Sequence, residues 1–89
     1  MAKRGKLEIM QNILSIIQQN HGSIKITPLI RRANMSSARF KKYYLELREK
    51  GFINEISNNK NKLVSLTEKG ERFLERYKTI INFINEFEL

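Results

Sequence analysis

Residues 27 to 51, TPLIRRANMSSARFKKYYLELREKG, hold two helix starts and two helix stops, and no other stretch of the chain limits the possible folds so much. Thr27-Pro28 reads as a start. The threonine oxygen can accept one of the N–H groups left without a partner in a helix's first turn, and proline at the first helical position has no N–H to satisfy. A short helix from Pro28 to about Ala33 then buries Leu29, Ile30 and Ala33, and Asn34 suits the left-handed residue that ends it. Met35 is an apolar plug, Ser36 an N-cap, and the next helix runs from there to Gly51. Its inward stripe is Phe40, Tyr44 and Leu47. Arg39, Lys42, Glu46 and Glu49 face outward, Lys41, Tyr43 and Arg48 lie on the flanks, and Leu45 points outward with nothing in the sequence to cover it.

The flanking segments supply packing partners. Leu7, Met10, Ile13, Leu14 and Ile17 recur at one helical face, widened by Ile9 and Ile16, so a helix is expected from Lys6 to Asn20, closed by His21-Gly22. Ser23 to Ile26 alternates polar and apolar, the pattern of a very short strand. Beyond Gly51, Phe52–Ile56 and Leu63–Leu66 read as two strands joined by the polar, basic run from Ser57 to Lys62, with Phe52, Ile56, Val64 and Leu66 sharing the core face. Thr67 caps a last helix that carries Glu68 and Glu71 in its first turn, where the macrodipole favours negative charge. Phe73, Tyr77, Ile80, Ile84 and Phe87 then step by 4, 3, 4 and 3, the seam of a coiled coil, with Leu74 and Ile81 broadening it. Past Tyr77 an 89-residue chain has little core left to cover that seam, so a second copy is the expected cover.

Charge says what the helices are presented to. Lys and Arg number 17 against 9 acidic residues, a surplus of +8 that a polyanion would relieve. Nucleic acid is the first candidate and an anionic membrane surface the second. Residues 1 to 66 hold a balance of +9 and residues 67 to 89 one of −1, so the first part is expected to meet the polyanion and the tail to do something else. No apolar run approaches the ~20 residues of a membrane span, and the basic start MAKRGK leads into an amphipathic segment rather than a signal-peptide core. The expectation is a soluble, unprocessed chain in a cytoplasmic-type compartment, which the lack of cysteine also suits. Without cysteine or aspartate, and with His21 as the only histidine, neither a nucleophile–base pair nor a metal cluster is visible. Tyr43 or Tyr44 as a strand-transfer nucleophile lacks an arginine–histidine surround. No catalysis, cofactor or small-molecule ligand is therefore expected.

The order helix, short strand, helix, turn, helix, hairpin is that of a winged helix-turn-helix, whose third helix enters the major groove while the hairpin tip lies along the backbone. MSSARFKKYYLELREKGFI, then a polar wing, then LTEKGERFLERYKTIINFI, resembles the small archaeal winged-helix DNA-binding proteins that dimerise through a C-terminal antiparallel coiled coil. The resemblance covers nearly the whole chain. It implies a mostly α, α+β fold: a DNA-binding winged helix-turn-helix over residues 1–66, and a long C-terminal dimerisation helix over 67–89 in the same structural unit. Its motifs, Tyr43-Tyr44, Glu49-Lys50-Gly51-Phe52-Ile53 and Leu66-Thr67-Glu68-Lys69-Gly70, are scaffold features that identify the fold and not the target.

On this reading Lys25, Arg31, Arg32, Arg39, Lys41, Lys42, Arg48, Lys60 and Lys62 form the phosphate-facing patch; the blander alternative is a solvated charged face. Ser36, Ser37, Arg39, Lys42 and Tyr43, near the start of the third helix, are the candidates to approach base edges. Lys3, Arg4 and Lys6 form either an arm on the backbone or a frayed start. Dimerisation falls to Phe73, Tyr77, Ile80, Ile81, Ile84 and Phe87. The expected partners are double-stranded DNA on the nucleoid and a second copy. A protein-docking module of the transcription machinery and a structured-RNA binder stay open as alternatives.

Overall fold

A computed structural model of the chain describes residues 5–58 and 61–89. Helix α1 spans Lys6–Gln19 and buries Ile9, Met10, Ile13, Leu14, Ile16 and Ile17. Leu7, the first residue of the expected stripe, is instead 58% exposed, because the first turn of α1 runs past the core. The helix closes through two left-handed residues rather than glycine alone, His21 at φ 65° and Gly22 at φ 91°, and the Gly22 N–H returns to the Ile17 carbonyl at 3.0 Å.

Strand β1, Ser23–Lys25, leads straight into α2, Ile26–Ala33. The expected Thr27 cap is not made: the helix starts ahead of it, with Lys25 at the cap position and no side-chain cap bond. Pro28 is tolerated in the third position for the reason it was assigned to the first, since no N–H of an opening turn has an intrahelical acceptor. Asn34 ends α2 in the left-handed conformation at φ 57° and ψ 49°. Helix α3, Ser37–Glu49, is capped by Ser36, whose Oγ accepts the Arg39 N–H at 3.2 Å, and Phe40, Tyr44 and Leu47 are buried as the wheel requires.

Gly51, at φ 81°, turns the chain into β2, Ile53–Asn58, which pairs antiparallel with β3, Asn61–Leu66. The ladder extends out to Asn58 opposite Asn61, so the strands use most of what the sequence suggested was loop. β1 pairs on the other edge of β3, giving the order β1-β3-β2. The expected faces are wrong by one residue on β2. Ile53 lies opposite Leu66 and Glu55 opposite Val64, so these four share the inner side, while Ile56 lies opposite Leu63 on the outer side and is 52% exposed. Phe52 sits in the bend ahead of the strand, and a count started there inverts every later side chain.

Helix α4, Glu68–Glu86, is capped by Thr67, whose Oγ1 accepts the Gly70 N–H at 3.0 Å and donates to the Gly51 carbonyl at 2.7 Å. The core lies between α1, α2, α3 and the inner side of the sheet, with Ile24, Leu29, Ala33, Ile53 and Val64 closing it, and α4 joins through Leu74. The mostly α, α+β architecture expected from the sequence, four helices with a three-stranded antiparallel sheet and a long last helix, is the one observed.

Candidate nucleic-acid interface

Burial of Phe40, Tyr44 and Leu47 decides which side of α3 faces away from the core. At 3.6 residues per turn the opposite ridge is Ala38, Lys42, Leu45 and Glu49, all exposed. Arg39 and Glu46 flank it toward α1, where Glu46 ion-pairs with Lys6 at 2.5 Å and sits 3.9 Å from Lys50. Ser37, Lys41 and Arg48 flank it toward the hairpin, and with Ile26, Ile30 and Leu45 they border a groove of about 400 Å³. That groove accounts for Leu45, which is 42% exposed at its edge.

The other expected site residues lie on α2, on the strands and at the start of α3. Arg31 and Arg32 are exposed in the last turn of α2, Arg32 donating to Asn20 Oδ1 at 3.4 Å. Lys25 is exposed on β1 opposite Leu63, on the outer side of the sheet. Ser36 is exposed with its oxygen engaged in the cap. Tyr43 is half-buried against the core, and the Lys42 ammonium lies 5.9 Å from its ring centroid. Lys60, like Lys3 and Arg4, lies outside the described residues.

Ala38 and Glu55 were missed. The 100° step of the helix was enough to find Ala38. Nothing local marks Glu55, which depends on strand register. It lies beneath the hairpin's inner side, its side chain only 12% exposed. Its Oε1 accepts from the Tyr44 hydroxyl at 2.8 Å and from Arg48 Nη1 at 2.6 Å, and Lys62 Nζ lies 3.5 Å from Oε2. The Tyr44 hydrogen bond, with Arg48 and Lys62 behind it, holds the Glu55 carboxyl below its ordinary range against the opposing effect of burial. Burial above all, then the same bond, pushes the Tyr44 hydroxyl up, so it stays a donor. Bonding from Lys6 likewise lowers Glu46.

The tail separates into two parts. Phe73 and Tyr77 are half-buried on their own domain, with Phe73 5.0 Å from the Phe52 ring, and Ile81 leans toward α1 beside Gln11 and Ser15. Ile80, Phe83 and Phe87 are 54%, 54% and 56% exposed, Ile84 is half-buried, and the Phe83 and Phe87 rings meet tilted, with centroids 5.0 Å apart. Phe83, absent from the expected seam, widens it. Leu7, Phe52, Phe73, Tyr77 and Ile80 line a second groove, of about 430 Å³, with Arg72 and Arg76 on its rim. Among the described residues no acidic or histidine cluster could hold a metal ion, and no helix is long and apolar enough to cross a membrane.

Residues 3–85 match the model of a family described as winged helix-turn-helix. Among solved structures, Sso10a-2, a DNA-binding protein from Sulfolobus solfataricus, superposes with a TM-score of 0.80 at 27% identity, covering 96% of this chain and 86% of that one. SSV1 F-93 matches at 0.69 and 27% identity, over 90% of this chain and 88% of its own. The PcaV transcriptional regulator from Streptomyces coelicolor matches at 0.76 but at 17% identity, and the chain spans only 58% of its length; that likeness is one of fold. No curated protein matches the sequence.

Proposed function

The chain belongs to the winged helix-turn-helix family, and from that premise we propose that it is a homodimeric double-stranded DNA-binding protein, non-enzymatic, acting as a transcription regulator or as a chromatin-type protein on the cytoplasmic nucleoid. One observation carries the reading. Arg39, Lys41 and Lys42 on the exposed side of α3 and Arg31 in the last turn of α2 make no ion pair among the described residues, whereas Lys6, Lys50, Arg48 and Lys62 do. Leaving that many cations unpaired on one side is electrostatically unfavourable unless a polyanion meets them. The likeness at 27% identity to Sso10a-2, itself a DNA-binding protein, supports the choice of polyanion.

In this reading α3 enters the major groove, with Ser37, Arg39 and Lys42 toward base edges and Ser36 and Tyr43 fixing the helix start and its seating. Arg31, Arg32, Lys25 and Lys41 meet phosphates, and the hairpin tip with Lys60 and Lys62 follows the backbone. Residues 1–66 do the binding and 67–89 the pairing. A dimer through Ile80, Ile81, Phe83, Ile84 and Phe87, continuing from Phe73 and Tyr77, covers the free end of α4. The radius of gyration, 13.6 Å against about 12 Å for a compact chain of this length, is consistent with an element that projects toward a partner. Two copies would present their α3 helices to half-sites ~34 Å apart or a multiple of that.

The test is a gel-shift titration on duplex DNA at several salt concentrations. Binding that weakens steeply with salt is expected; no binding at low salt, or binding indifferent to salt, would rule the reading out.

A further inference from the structure

Of the four glutamates in residues 1 to 66, Glu55 alone sits between α3 and the hairpin, where a DNA backbone would pass. Its surroundings are unequal in freedom. Tyr44 is 7% exposed and stacked on Phe40, so the hydroxyl that holds the carboxylate is anchored in the core. Arg48 and Lys62, by contrast, have side chains 48% and 60% exposed and lie over a carboxylate that is 12% exposed. The anion is fixed and the cations are the parts that can move. A carboxylate and a phosphate offer a guanidinium or an ammonium the same pair of acceptor oxygens, so the two compete for the same donors.

We propose that Glu55 is an internal competitor for phosphate: it keeps Arg48 and Lys62 occupied in the free protein, so that DNA must exchange with a carboxylate to use them. This rests on the DNA-binding reading above. The consequence is a restraint on the sequence-independent part of the affinity. Arg31, Arg32, Lys25 and Lys41 meet phosphate at full strength, while the two cations that bridge α3 and the wing contribute less than their charge. A regulator that has to leave wrong sites gains from such a restraint, because phosphate contacts supply most of non-specific binding.

Glu55→Gln tests it, since the amide keeps an acceptor for Tyr44 and Arg48 but loses the charge. Affinity for a duplex of arbitrary sequence is measured against salt for four proteins: wild type, Glu55→Gln, Lys62→Ala and the double variant, each checked for an intact fold by circular dichroism. Glu55→Gln is expected to bind several-fold tighter at moderate salt, with a slope of log affinity on log salt steeper by about 0.9 to 1.8, the value of one to two added phosphate contacts. Lys62→Ala is expected to change the slope by well under one contact alone, and by about one contact, ~0.9, in the Glu55→Gln background. Weaker binding or an unchanged slope in folded Glu55→Gln would make Glu55 a structural weld and overturn the proposal. So would the loss of a full contact in Lys62→Ala alone, which remains readable even if Glu55→Gln does not fold. Wild type that binds no DNA would instead refute the function proposed above, and this restraint with it.

Discussion

At the scale of single residues, the structure explains motifs that the sequence could only recognise. Gly70, in the run Leu66-Thr67-Glu68-Lys69-Gly70, leaves room for a crossing: a Cβ there would lie 2.3 Å from the Phe52 carbonyl oxygen and 2.7 Å from Leu66 Cδ1. The clash is with backbone, which cannot rotate away, and that same carbonyl accepts the Thr67 N–H at 3.1 Å. Gly70→Ala is therefore expected to destabilise the domain by about 1–3 kcal/mol despite alanine's better helix propensity. Urea denaturation checks it; a variant as stable as wild type would mean that α4 shifts at no cost. Ala38 and Tyr43 teach the converse. The helix wheel alone puts Ala38 on the outer ridge, whereas the inward lean of Tyr43, which the wheel leaves on a flank, follows from its packing against the core.

Between elements, the contact most dependent on register is the one from α3 to β2. Tyr44, Arg48 and Glu55 join them, and Glu55 reaches α3 because it stands opposite Val64 on the inner side of the sheet. The carboxyl is held below its ordinary value of 4.5, which makes the clasp pH-dependent. A depressed carboxyl contributes stability that is complete above its unfolded value and is lost as pH falls through the lower, folded one. Wild type is thus expected to exceed Glu55→Gln in urea midpoint at neutral pH by a margin that narrows below about pH 4.5. Glu46 also titrates there, but it does so in both proteins and cancels from the difference. A margin independent of pH would show that the clasp acts through shape and not charge. The wing strands were found in sequence but their faces were not, since alternation carries no origin: starting at Phe52 or at Ile53 gives opposite answers.

For the whole molecule, the question is what covers the end of α4. Ile80, Phe83 and Phe87 are more than half exposed, while the fifteen buried apolar residues of the core close without them. Truncation after Tyr77 should accordingly leave a folded domain, because Leu74 and Phe73 are retained, and should abolish the dimerisation proposed above. Light scattering is expected to show a monomer, with much weaker DNA binding since two linked half-site contacts become one. An unchanged mass in solution would place the dimer contact elsewhere.

Sequence alone determined the things that depend on neighbours along the chain. Helix periodicity, the Ser36 and Thr67 caps, the left-handed Asn34 and the division of charge at residue 66 are all local, and together they were enough to name the fold. Tertiary structure decided what depends on distance across it. It turned Ile56 outward, left Leu7 and Phe83 uncovered, and set Glu55 beneath Arg48 and Lys62. The reason is physical: a helix wheel needs only the residues within two turns of itself, whereas the side of a strand, or the partner of a buried carboxylate, is set by which chain lies alongside and in what register.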